Sequence, residues 1–217
     1  MPGDSTYAEP RWPVLAAVVV ISALTVLLPD DLRMGPRWVL PVIEGALVIT
    51  LVLLDPGRIS RESSLLRWLS ISLVSLLALS AIWSTARLVA ELTSGGASTG
   101  SASELLRNGG TVWASTVVAF ALIYFELDSG GSAARAHRRP EHPDLAFPQQ
   151  LNPGIAPPEW RPRFGDYLYL ALTNATAFSP TDVMPLAPWA KSAMAVQSLV
   201  SLVILALVVA RAVNVIS

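Results

Sequence analysis

A polar segment near the C-terminus holds the side chains with the greatest potential for chemistry. From Thr173 to Asp182 the sequence places hydroxyl, amide and carboxylate groups directly after a short apolar stretch. A carboxylate beside such a stretch is costly unless it is paired, hydrated or used in function. The candidate site residues of this segment are Thr173, Thr176, Phe178, Ser179, Pro180, Thr181 and Asp182.

The same residues also fit an ordinary helix start. Ser179 has the side chain of an N-cap, Pro180 would occupy the first helical position, and Asp182 follows three residues after the cap. On this interpretation the segment only opens the next helix. For Ser179 and Pro180 the two interpretations are equally good, whereas Asp182 is the stronger functional candidate.

The composition indicates that these residues belong to a membrane protein. Of the 217 residues, 53% are hydrophobic and 14% are charged, whereas soluble domains carry about 25% charged residues. The mean hydropathy is +0.52. The net charge of -1 gives no indication of a nucleic-acid partner. The absence of cysteine excludes disulfides, thiolate metal sites and cysteine nucleophiles.

Five apolar runs approach the length of about 20 residues that crosses a membrane core. They cover about Pro13–Leu28, Trp38–Leu54, Trp68–Leu92, Thr111–Leu127 and Trp189–Val215. A sixth apolar segment, Asp166–Phe178, is too short and too polar to cross. We therefore expect an all-α polytopic membrane protein with about five transmembrane helices and a re-entrant half-helix. The alternative for the sixth segment is a helix on the membrane surface, anchored by Tyr167 and Tyr169.

The order of the C-terminal elements resembles the pore module of tetrameric potassium-type channels, which has an outer helix, a half-helix, a filter and an inner helix. In that family a Pro follows the last filter Asp by three residues, as Pro185 follows Asp182, and Thr176 stands where a Thr would lead the filter. The resemblance divides the chain into an N-terminal three-helix region, 1–110, and a pore-module-like region, 111–217. It implies an ion-conducting pore formed by self-association, expected to be a tetramer.

The filter residues depart from the potassium-channel pattern. Aligned on Asp182, the two filter glycines become Ser179 and Thr181, and the filter tyrosine becomes Pro180. Glycine lets a filter turn its carbonyls toward the ion, whereas proline fixes φ and lacks a backbone donor. The pore is therefore expected to select weakly or to select an inorganic ion other than potassium.

The wider C-terminal pattern is similar to an uncharacterised family of bacterial integral membrane proteins. The residues that carry this similarity are Phe120–Gly131, Arg135, Phe147–Gln149, Trp160, Pro162, Phe164, Asp166–Tyr169, Thr173–Asp182 and Arg211–Asn214. The similarity implies a multi-pass protein of the bacterial cell membrane, and no established activity comes with it.

Three polar residues within the apolar runs are further candidates. Glu44 lies in the second run, and an intramembrane carboxylate serves either conduction or proton movement, or a structural bond between helices. Gln197 and Ser201 are four residues apart and therefore share one face of the last helix. That face either lines a pore or binds neighbouring helices through hydrogen bonds.

The long polar segment 128–163 is expected to be an irregular connector. Its His137–Asp144 stretch has metal-capable side chains, but the prolines and arginines there favour a solvated basic loop beside lipid head groups. No metal, cofactor or enzymatic activity is expected, because no nucleophile–base pair or metal-ligand motif is visible. The alternative to a pore is a non-conducting scaffold or sensor that acts through this connector.

The arginines divide unevenly between the two sides that five crossings define. One side would carry nine, namely Arg11, Arg58, Arg61, Arg67, Arg135, Arg138, Arg139, Arg161 and Arg163, and the other would carry Arg33, Arg37 and Arg107. Positive charge concentrates on the cytoplasmic side of membrane proteins. The N-terminus is therefore predicted to be cytoplasmic.

This orientation is testable because single cysteines can be introduced into a cysteine-free chain. Ser98→Cys, in the Gly/Ser-rich loop, is expected to react with an impermeant maleimide added outside intact cells. Ser132→Cys, in the connector, is expected to react only after permeabilisation. Labelling of Ser98→Cys from the cytoplasm alone would overturn the predicted topology.

Overall fold

The computed structural model describes residues 8–57, 59, 63–94, 101–137, 142–152, 154–157, 159–176 and 182–216. The helices are α1 (Trp12–Leu27), α2 (Val39–Leu54), α3 (Ser64–Ser94), α4 (Ala102–Leu127), α5 (Ser132–His137), α6 (Pro148–Leu151), α7 (Phe164–Thr176) and α8 (Pro188–Ile216). Strands β1 (Leu145–Ala146) and β2 (Met184–Pro185) pair antiparallel, with Leu145 opposite Pro185. The prediction of an all-α fold is confirmed.

Three helices, α3, α4 and α8, are long and apolar enough to cross a membrane. Helices α1 and α2 are apolar but have 16 residues each. At 1.5 Å per residue this length is about 24 Å, somewhat less than a hydrocarbon core of about 30 Å. Both helices end just before a proline, Pro29 and Pro56, which cannot continue helical hydrogen bonding.

Contacts at the helix ends show that α1 to α4 alternate in direction. Arg11, before α1, pairs with Asp55, after α2, at 2.8 Å. Arg67, near the start of α3, donates a hydrogen bond to the carbonyl of Gly130, just after α4. At the opposite end, Arg87 Nε, near the end of α3, donates to a carbonyl of the α1–α2 loop at 2.8 Å. The end that carries Arg11 and Arg67 is called the arginine-rich end below.

Helix α4 is the central element, since it contacts α1, α3, α7 and α8. It begins well before the expected start at Thr111, and its N-cap Ser101 accepts a hydrogen bond from the backbone N–H of Glu104 at 3.3 Å. The expected division of the chain at residue 110 therefore falls inside a continuous helix. Both halves of the chain contribute to one apolar core around α4.

Gly109, the first of two consecutive glycines within α4, lies at the contact with α8. A Cβ atom at this position would lie 2.5 Å from Cγ2 of Val208 on α8, whereas a Cβ atom at Gly110 would meet nothing within 4 Å. Small residues let membrane helices approach closely and gain van der Waals contact. Gly109 is therefore a packing residue of the α4–α8 contact.

This contact predicts opposite effects for two neighbouring substitutions. Gly109→Ala should destabilise the fold by about 1–3 kcal/mol because it overpacks the contact. Gly110→Ala should be neutral or stabilising by up to about 1 kcal/mol because alanine restricts the unfolded chain. Thermal unfolding of both variants in detergent measures the difference, and equal melting temperatures would contradict the assigned packing.

Candidate functional site

Helix α7 has 13 residues, which gives it a length of about 20 Å. Its first turn is held by the N-terminal segment, because the backbone N–H of Phe164 donates to Oε1 of Glu9 at 2.7 Å. Burial raises the pKa of the Glu9 carboxyl, while the bond from Phe164 and the charges of Arg135 and Arg163 act to lower that pKa. A carboxylate at this position satisfies one of the free N–H groups of a helix start.

The end of α4 is tied to α7 through the buried carboxylate of Asp128. Its Oδ2 accepts a hydrogen bond from the hydroxyl of Tyr167 at 2.6 Å, and its Oδ1 accepts one from the backbone N–H of Leu145 at 3.2 Å. The hydroxyl of Ser129 donates to Oδ1 at 2.8 Å. These donors come from α7, β1 and the turn after α4, so one carboxylate joins three separate segments.

Arg135 completes this junction from α5. Its Nη1 donates to the backbone carbonyl of Asp128 at 2.6 Å, and its guanidinium lies 5.0 Å from the ring centroids of both Phe125 and Tyr167. Only 6% of Arg135 is exposed. A guanidinium enclosed by aromatic faces gains cation–π attraction while its charge is removed from water, so this connector arginine serves the interior of the protein.

A second buried network joins α7 to both α4 and α8. Gln197 Oε1 accepts hydrogen bonds from the hydroxyl of Tyr124 at 2.6 Å and from Nδ2 of Asn174 at 2.8 Å. Gln197 Nε2 donates to the backbone carbonyl of Ala171 at 2.7 Å. Ser198 adds a bond from its hydroxyl to Oδ1 of Asn174 at 2.9 Å. The amide of Gln197 therefore binds both neighbouring helices.

The two networks lie at different depths. Tyr167, in the first turns of α7, bonds at the end of α4, whereas Asn174 bonds to Gln197 and Ser198, about 15 Å along α8 from its start. Strand β2 then pairs with β1, whose Leu145 bonds to Asp128. The chain therefore returns to the arginine-rich end before α8 begins.

The structure describes three of the seven candidate residues in the polar segment. The hydroxyl of Thr173 donates to the backbone carbonyl of Tyr169 at 2.9 Å, and that of Thr176 donates to the carbonyl of Thr173 at 3.0 Å, so both bond to their own helix. Asp182 is exposed. The other four lie outside the described residues: Phe178, Ser179, Pro180 and Thr181.

The two candidate pore-lining residues of α8 lie in the interior of the protomer. Gln197 and Ser201 have no exposed surface, and all the bonds of Gln197 go to α4 and α7. The pore-lining interpretation of Gln197 is corrected accordingly, since its amide is fully used between helices. Ser201 Oγ has no hydrogen-bond partner among the described residues.

Glu44 lies at the α1–α2 contact. It is 1% exposed, and one of its carboxylate oxygens accepts a hydrogen bond from the hydroxyl of Ser22. The other oxygen has no partner within the described part of the chain. Of the two roles that the sequence allowed for Glu44, this contact is of the kind expected for a structural bond between helices. In the ranges that the structure describes, no group of three or more His, Asp or Glu side chains is arranged to hold a metal ion.

Sequence reasoning missed several residues that hold the site together. Asp128 and Arg135 belong to the segment interpreted as an irregular connector. They and Tyr124 were noted only for the family similarity, and the partner of Tyr124 is 73 residues away. Asn174 stood inside the candidate segment but was not selected. In a helix, Asn174 lies one turn after Ala171 and on the face opposite Leu172. That placement would have put its amide on the side of the helix away from Leu172.

Comparison with protein-family models, curated proteins and solved structures finds no match to this chain. The function is therefore argued from the geometry of the site.

The Asp128 junction can be tested with two tyrosines of the same helix. Tyr167→Phe should lower the free energy of unfolding by about 1.5–3 kcal/mol, because it removes a hydrogen bond to a buried carboxylate. Tyr169→Phe should have little effect, because Tyr169 is 60% exposed. Thermal or denaturant unfolding in detergent measures both, and an unchanged Tyr167→Phe protein would contradict the role given to the junction.

Proposed function

We propose that this chain is an ion-channel-like protein of the cell membrane that conducts ions as a symmetric oligomer. In this proposal α7 enters the membrane as a re-entrant half-helix and the segment from Thr173 to Asp182 forms the constriction. The observation that carries it is the position of α7 between α4 and α8. Its first turns bond to the end of α4, its last turn bonds deep along α8, and the chain then returns to the side from which it came.

The helix directions support five crossings. Helices α1 to α4 alternate, and α8 starts from the same end at which α4 stops. A 16-residue helix crosses a bilayer when flanking residues or local thinning supply the remaining length. The arginine-rich end would face the cytoplasm by the positive-inside rule, which puts the mouth of the segment from Thr173 to Asp182 in the cytoplasmic half of the membrane.

The outer face of α7 supports self-association. Leu168, Tyr169 and Leu172 are exposed on the protomer, and α8 exposes Leu199 and Leu202. In a closed ring these faces would contact neighbouring copies or lipid. A tetramer is the assembly we propose, because the outer helix, half-helix and inner helix follow the order found in tetrameric channels.

Selectivity in this proposal depends on charge at the mouth. Asp182 is an exposed carboxylate at the end of the proposed constriction, and four copies would form a ring of negative charge that attracts cations. Pro180 fixes φ in the constriction and prevents a cage of inward-facing carbonyls of the potassium type. We therefore propose weak selection among cations.

The scaffold or sensor alternative has less support from the connector. Arg135 is buried among aromatic rings, and Arg161 donates to the backbone carbonyl of Arg135. Because these two arginines bond within the fold, fewer connector arginines are left to contact an external partner.

The proposal predicts current from purified protein in planar bilayers. Asp182→Asn should lower the cation-to-anion permeability ratio by about twofold or more at low salt, because it removes the charge that concentrates cations. Glu159→Gln removes an exposed carboxylate of the connector and serves as the matched control, with an expected ratio close to that of the unmodified protein.

Stoichiometry provides an independent check on the same preparation. Native mass spectrometry from detergent should detect a closed oligomer, with the tetramer as the expected species. A monomer that carries no current in any variant would contradict the pore and favour the non-conducting scaffold.

A further inference from the structure

A cavity of about 790 Å³ lies among the N-terminal helices and the end of α4. It is bounded by α1, α2, α3 and the last turns of α4, at the arginine-rich end. Its walls are mainly apolar, and they include Val14, Val18, Val48, Leu51, Leu73 and Leu122. Its volume is within the range of about 300–1,000 Å³ that is usual for small-molecule sites.

One end of this cavity is polar and charged. Arg11, Asp55, Arg67 and Glu126 line it, together with the backbone of Gly130 and Gly131. An apolar chamber with a charged end is complementary to an amphiphile whose head group lies near the membrane surface. A purely apolar ligand would offer no acceptor to the arginines at this end, and an ion alone would leave the apolar chamber empty.

Arg11 gives the most specific indication of a ligand. It is 7% exposed, and its Nη2 bonds to Asp55 at 2.8 Å. Its Nε has no hydrogen-bond partner among the described residues. A buried guanidinium N–H without an acceptor is costly, so an acceptor on a bound molecule would remove that cost.

Two arginines at this end can donate to a bound anion. Arg11 and Arg67 both line it, and guanidinium groups form charge-assisted hydrogen bonds with carboxylate and phosphate oxygens. The carboxylate of Asp55 is already paired with Arg11 at 2.8 Å, and an anionic head group would supply an acceptor for the remaining N–H group of Arg11.

We propose that this cavity binds an amphiphile with an acyl chain and an anionic head group, either a membrane phospholipid or a free fatty acid. The acyl chain lies between the apolar walls from α1 to α4, and the head group accepts hydrogen bonds from Arg11 and Arg67. None of the residues that line this cavity belongs to the proposed constriction, and the proposal does not depend on conduction.

The acyl chain is tested with two valines of α2. Val48 lines the cavity, whereas Val42 is 60% exposed and does not line it. Native mass spectrometry should detect phosphatidylglycerol or oleate bound to the purified protein. Val48→Trp should reduce the bound fraction by about tenfold, because the indole fills the chamber, and Val42→Trp should leave it unchanged.

The head group is tested separately, in case Val48→Trp does not fold. Arg67→Gln, at an exposed position, should weaken the binding of phosphatidylglycerol and of oleate about tenfold, because a charged hydrogen bond to the head group is lost. Arg107→Gln, at the other end of α4, should leave the binding of both unchanged. Preference for phosphatidylglycerol identifies a membrane lipid, and preference for oleate identifies a fatty acid. Equal binding of neutral phosphatidylcholine, or equal binding by Arg67→Gln and the unmodified protein, would overturn the proposal.

Discussion

The buried carboxylate of Asp128 is the interaction on which the arrangement of the C-terminal half depends. A carboxylate removed from water is tolerated only when hydrogen bonds replace its hydration. Asp128 obtains these bonds from Tyr167, Leu145 and Ser129. Since the three donors come from different segments, the position of α7 and of the connector is fixed relative to the end of α4 by the requirement to satisfy one charged group.

Helices α4, α7 and α8 are also held together by close packing and by hydrogen bonds away from Asp128. In a bilayer the hydrophobic effect gives little preference for helix–helix over helix–lipid contact, so close packing and hydrogen bonds decide which helices associate. Gly109 allows close packing against Val208 near one end of α4. The amide of Gln197 supplies hydrogen bonds to α4 and α7 near the other. A helix as short as α7 is held by polar contacts at both of its ends.

Helix α4 contributes to both the α7–α8 junction and the amphipathic cavity. It is tied to α7 and α8 by buried hydrogen bonds, and its last turns bound the cavity. Phe125 belongs to both, because it lines the cavity and its ring contacts Phe164 and Tyr167 edge-on, at centroid distances of 5.6 and 5.7 Å. The packing of this one side chain therefore depends on both the junction and the cavity.

Sequence patterns alone were enough to predict the helical class, the long apolar helices and the short α7. These features are local, because apolar runs, prolines and polar breaks act over a few residues. It also limited Gln197 and Glu44 to two roles each, and it picked out the polar segment after α7. The sequence placed the start of the fourth apolar run at Thr111, whereas α4 begins at Ala102.

Which polar groups bond to one another follows from the packing of the helices and not from local sequence. Asp128 and Tyr167 are 39 residues apart, Tyr124 and Gln197 are 73 apart, and Glu9 and Phe164 are 155 apart. No local pattern encodes such pairs, since any of these side chains would be equally plausible facing water or a head group. The hydrogen-bonding requirement of buried polar atoms selects among these possibilities, and it acts only after the helices have packed.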